Sequence, residues 1–92
     1  MITTIVLVRA EPKRIPEVAT RLAGVDGVRE VYSVSGDWDL VVIVRVAEYE
    51  QIAKVVTEVF PTIEGLVRTT TLTAFRAYSR SDLEQAWDIG VE

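Results

Sequence analysis

The side chains with the greatest capacity for chemistry stand together in one short stretch, Gly36-Asp37-Trp38-Asp39, where two carboxylates flank an indole directly before a hydrophobic run. Gly36 and Asp37 also suit a tight turn, since glycine supplies positive φ and aspartate tolerates turn geometry. Asp39 is different. It falls inside a strand-like segment, where aspartate is disfavoured, so it calls for a cation: an Arg of a neighbouring subunit or the ammonium of a small ligand. Thr69, Thr70, Thr71 and Thr73 form a second polar group, and with period two Thr69, Thr71 and Thr73 share one side. Threonine is at home in strands, but a hydroxyl row both donates and accepts, which suits a ligand bearing an ammonium and a carboxylate.

Other chemistry is excluded by what is missing. The chain has no Cys and no His, hence no thiol nucleophile, disulfide, imidazole base or zinc site of the usual kinds. It has no glycine-rich phosphate loop and no nucleophile elbow. Asp37/Asp39 and Glu48/Glu50 resemble an acid pair or a hard-metal site only weakly, because the first needs a deep cleft and the second more oxygen ligands. These residues point to binding without reaction: not an enzyme, with no cofactor and no metal.

The elements that must position them follow from periodicity. The chain partly repeats itself: Val6-Leu7-Val8-Arg9 returns as Val42-Ile43-Val44-Arg45, and Asp26-Gly27-Val28-Arg29 is echoed by Glu64-Gly65-Leu66-Val67-Arg68. Each half reads strand, helix, strand. Ile15, Val18, Ala19 and Leu22 make one face of a first helix that Pro16 places near its start; Tyr49, Ile52, Ala53, Val56, Val59 and Phe60 make the face of a second. Ser35-Gly36-Asp37-Trp38 joins the halves as a hairpin. With strands near 2–10, 28–35, 38–46 and 66–78, the expected fold is α+β: a ferredoxin-like βαββαβ sandwich, with a four-stranded antiparallel sheet carrying two helices on one face. Residues 1–78 would form this domain. Residues 79–92 read as an appendage, with Ser81-Asp82-Leu83-Glu84 as a capping box opening a short helix.

Both faces of the sheet are apolar in sequence. Leu40, Val42, Val44 and Val46 alternate with Val41 and Ile43, and Val6 and Val8 with Ile5 and Leu7, whereas a sheet with one solvated face would alternate apolar with polar. The helix-free face is therefore expected to be covered by another subunit. Arg9, Arg45, Arg68 and Arg76, at or near strand ends, suit ion pairing across subunits or at the surface. Ten basic against fourteen acidic residues, a net charge of −4, argue against direct nucleic-acid binding. The short apolar runs and the absence of a signal-peptide pattern lead us to expect a soluble, cytoplasmic protein with no membrane contact.

Taken together, a proline-containing first helix, the Asp26-Gly27-Val28 exit, the run Val34-Ser35-Gly36-Asp37-Trp38-Asp39-Leu40, and Glu64-Gly65-Leu66 before a Thr-rich strand resemble the effector-binding domain of the Lrp/AsnC family, the regulation-of-amino-acid-metabolism (RAM) module. Full-length members carry a helix-turn-helix domain ahead of this module. Here the first strand begins at Ile2, so the resemblance implies a stand-alone module without its own DNA-binding domain. It further implies an amino-acid effector, a homodimer paired through its sheets, dimers assembled into rings, and co-assembly with full-length regulators. Carried over by position, the effector site would comprise Val34, Ser35, Gly36, Asp37, Trp38 and Asp39, with Thr71, Leu72 and Thr73 as neighbours. The competing readings are a purely structural partner of full-length regulators and a small dimeric α/β-barrel enzyme.

Overall fold

The computed structural model describes residues 1–80, and the helix expected from Ser81-Asp82-Leu83-Glu84 lies outside the described residues. The elements run β1 (Ile2–Ala10), α1 (Ile15–Ala23), β2 (Val28–Ser33), β3 (Leu40–Val46), α2 (Tyr49–Lys54) and β4 (Leu66–Thr73), in one antiparallel sheet of order β2-β3-β1-β4. This is the expected ferredoxin-like arrangement.

The register settles which face is which. Thr4, Val6 and Val8 of β1 oppose Val44, Val42 and Leu40 of β3, and all six are fully buried against α1 and α2. The alternate residues Ile5 and Leu7 oppose Ile43 and Val41 on the helix-free face, where they are half-buried. From α1 come Val18 and Leu22, at the helical spacing read from the sequence, with Ile15 and Ala19 packed at the margin.

The second helix departs from its expected face. Ile52 and Phe60 are buried as anticipated, but Tyr49 and Ala53 are exposed and Val55 enters the core. The buried stripe is centred on Ile52: at about 100° per residue Val55 lies about 60° to one side of it and Ala53 about 100° to the other, so Val55 is taken in and Ala53 left out. Along this segment the winding changes, with α2 ending at Lys54, Val55–Val59 forming a π turn and Phe60–Thr62 a 3-10 turn. Gln51 secures the start of α2, its Oε1 accepting the Ala47 and Glu48 N–H groups at 3.0 Å each.

Three strands are shorter than their sequence pattern. β4 ends at Thr73 rather than 78, with the Ala74 N–H donating to the Thr3 carbonyl just past its end. β2 and β3 stop at Ser33 and begin at Leu40, leaving a six-residue loop where a tight hairpin was expected.

One core group lacks a partner. Thr4 is fully buried, and its Oγ1 has no hydrogen-bond partner among the described residues. A buried hydroxyl without a bond costs roughly 1–3 kcal/mol in desolvation. Thr4→Val, which keeps the shape, is therefore expected to raise stability by about 1 kcal/mol, read as a higher urea midpoint at unchanged slope.

Candidate functional site

The loop of residues 34–39 is held at its base and open at its tip. Val34 N–H donates to the Asp39 carbonyl at 3.0 Å, and Asp39 N–H donates to the Val8 carbonyl at 2.9 Å, tying the loop to β1. Between these anchors the backbone N–H groups of Ser35, Gly36, Asp37 and Trp38 have no acceptor among the described residues. Gly36 turns the tip with φ of 106°. Successive backbone donors in a turn without acceptors of their own attract anions. Val34, Ser35, Gly36 and Asp37 are exposed, and Trp38 and Asp39 half-buried.

Asp39 does not depend on an outside cation alone. Its Oδ2 accepts the Ala10 N–H at 2.9 Å, a contact spanning 29 residues. Ala10 lies past the last β1–β3 pair, Val8 with Leu40, so the carboxylate satisfies a backbone donor there and retains a second oxygen for other partners.

Thr71, Leu72 and Thr73 lie elsewhere. They oppose Val6, Ile5 and Thr4, whereas the loop meets β1 at Val8 and Ala10. At ~3.3 Å per residue along a strand and ~4.8 Å between strands, the loop and Thr73 of the same chain are separated by more than about 15 Å. One chain does not bring these residues together. Thr71 and Thr73 share the side of Val6 and Thr4, with Thr69 opposite Val8, as the alternation predicts; all three sit on an edge strand, and Thr71 and Thr73 are exposed. Leu72 is on the helix-free face, 47% exposed. The acid pairs Asp37/Asp39 and Glu48/Glu50 flank the two ends of β3 and do not converge.

Two features escaped the sequence. The Arg68 guanidinium carbon stands 5.6 Å from the centroid of the Trp38 ring, an attraction between cation and ring face. It depends on β1–β4 register, for which nothing local is a signal. A cleft of about 750 Å³ also lies at the other end of the sheet, lined by Gly24, Asp26, Gly27, Gln51, Lys54 and Val55; its walls come from separate segments of the chain. At the margin of the helix-free face the Tyr32 phenol donates to the Glu30 carboxylate, which holds the phenol above its ordinary range. No helix among the described residues is long and apolar enough to cross a membrane.

The chain matches the family model described as the Lrp/AsnC ligand binding domain over residues 3–83. Among solved structures, TTHA0845 from Thermus thermophilus is 45% identical with a TM-score of 0.81, covering 87% of this chain and 100% of its own. A feast or famine regulatory protein from M. tuberculosis, solved with L-methionine, shares the fold at a TM-score of 0.70 and 24% identity, covering 87% of this chain and 54% of its own. An uncharacterized HTH-type transcriptional regulator from Pyrococcus furiosus is 38% identical over 76 residues, 79% of this chain and 51% of that protein. The chain thus spans about half the length of the curated relatives it matches.

Proposed function

Because the chain belongs to the Lrp/AsnC ligand-binding-domain family, we propose that it is a module that binds an amino-acid effector and assembles with copies of itself, without chemical conversion of the ligand. The observation that carries this reading is the loop of residues 34–39, whose four backbone N–H groups without an acceptor among the described residues stand beside two carboxylates. That pairing of donors and anions matches a zwitterion: the loop N–H groups take the α-carboxylate, and Asp37 and the second oxygen of Asp39 take the α-ammonium. The M. tuberculosis protein solved with L-methionine supports testing amino acids first.

Assembly enters for two reasons. Ile5, Leu7, Val41 and Ile43 form an apolar patch on a sheet face that no helix covers among the described residues, and a second copy's face is its natural cover. Thr71, Leu72 and Thr73 reach an effector only as residues of a neighbouring copy, given their separation from the loop in one chain. A ligand held between copies then favours the assembled state by its differential affinity. We read this module as the effector part of a regulator system, in keeping with the HTH-type transcriptional regulators it is similar to.

A thermal-shift panel of the twenty amino acids, run beside light scattering, tests the proposal. An effector at about 100 times its Kd stabilises by about 2.7 kcal/mol. No response to any amino acid, with assembly intact, would leave a purely structural partner as the function. Asp39→Asn keeps an acceptor for the Ala10 N–H but removes the charge. It is expected to unfold near the wild-type midpoint without ligand while weakening effector binding about 10- to 100-fold, the equivalent of one charge-assisted hydrogen bond; unchanged affinity would remove Asp39 from the site.

A further inference from the structure

The β1–β4 register places Arg9 directly opposite Arg68. Two like charges facing each other on neighbouring strands weaken a sheet, and in a chain of net charge −4 there is no shortage of acids to place beside them. Yet the ion pairs among the described residues are those of Arg14 with Glu11, Glu17 and Glu64, and neither Arg9 nor Arg68 has a carboxylate of the described residues within bonding distance. Both side chains are exposed.

Arg68 is nevertheless positioned. Its guanidinium lies over Trp38, 5.6 Å from the ring centroid. An arginine resting on an aromatic face keeps the donors along its edge free, and that edge is the part that forks a carboxylate. Trp38 in turn belongs to the loop of residues 34–39, next to Asp39, whose carboxylate is fixed on Ala10, the neighbour of Arg9. The Arg68 guanidinium and the indole wall therefore border the loop, with Arg9 facing Arg68 in the ladder and neither arginine paired with a carboxylate among the described residues.

We propose that Arg9 and Arg68, with Trp38 as wall, form a subsite for a second carboxylate, and that the effector is accordingly an amino acid with an acidic side chain. This rests on reading the loop as the effector element. The loop N–H groups and Asp39 serve the α-carboxylate and α-ammonium common to every amino acid. The paired arginines supply what only a further anion uses, and binding one relieves their mutual repulsion.

Isothermal titration of wild type, Arg68→Gln and Arg9→Gln with L-glutamate, L-aspartate and L-glutamine decides it, with circular dichroism to verify that each variant is folded. The expected result is that glutamate or aspartate binds about 10- to 100-fold more tightly than glutamine, and that either substitution abolishes the preference. Equal affinity for glutamate and glutamine, or glutamate affinity unchanged in Arg68→Gln, overturns the subsite. A neutral amino acid binding in place of both acids also overturns it while leaving amino-acid sensing intact; silence from all twenty amino acids removes the sensing reading itself. If glutamate does not bind and Arg68→Gln instead lowers the assembled mass, the carboxylate belongs to a second copy and the ligand assignment falls.

Discussion

Ile43→Glu is expected to convert the assembly proposed above into a folded monomer. Ile43 sits at the centre of the helix-free face, opposite Ile5 and flanked by Val41 and Leu7 across the ladder. In a single chain the position is half-buried and faces water, so a carboxylate there costs the fold at most about 1 kcal/mol of strand preference. Between two copies the same carboxylate is withdrawn from solvent without a partner, which costs several kcal/mol per ion. A two-fold interface contains the substitution twice. Sedimentation should give the mass of one chain, with a wild-type far-ultraviolet spectrum. Retention of the wild-type mass would show that copies associate through another surface.

Gly27→Ala is the substitution expected to cost the fold most for the fewest atoms added. Gly27 has φ of 93°, and a Cβ there would lie 2.9 Å from Cγ1 of Val46, which is itself buried. The left-handed backbone costs a non-glycine residue about 1–2 kcal/mol, and overpacking a filled site adds about 1–3 kcal/mol. Gly36→Ala is the control, because Gly36 has φ of 106° but nothing within 4 Å of the added methyl. It should lose only the conformational part. Urea unfolding of both, in the Ile43→Glu background so that association does not contribute, should place Gly27→Ala roughly 1–3 kcal/mol below Gly36→Ala. Equal losses would mean that Val46 gives way freely.

The fold is readable because its local signals agree with one another. The internal repeat is a case in point: Gly27 and Gly65, matched in sequence, adopt φ of 93° and 94° at equivalent strand entries. Gly65 also lets its turn lie against α1, where a Cβ would come within 2.9 Å of the Arg14 side chain. The face of α2 goes astray for the opposite cause. The expected face is centred too near Tyr49 and Ala53, whereas burial centres on Ile52 and brings in Val55 and Phe60, a rotation about the helix axis that the mixture of apolar residues on this segment does not settle.

The candidate loop is legible as a polar interruption, but the bonds within it are not. Asp39 reads locally as a carboxylate seeking a cation, and the Ala10 N–H that engages it is supplied from 29 residues away. Likewise, Arg9 and Arg68 read locally as strand-end cations suited to ion pairing, and only tertiary pairing, with its shift between Arg9 and Ala10, sets them face to face. Such pairings depend on register between distant strands, which alternation constrains to a face but not to a partner.

The central position of β1 bears on how the chain is made. Val6 pairs with Val42 on one side and with Thr71 on the other, 36 and 65 residues later in the sequence. At the ribosome's pace of about 5–20 residues per second, several seconds separate synthesis of this strand from that of its last partner. Throughout that interval a segment apolar on both faces has its backbone only partly satisfied. The strand that organises the finished sheet is thus the first to be made and the last to be fully paired, its second edge open until the threonine-rich strand has emerged.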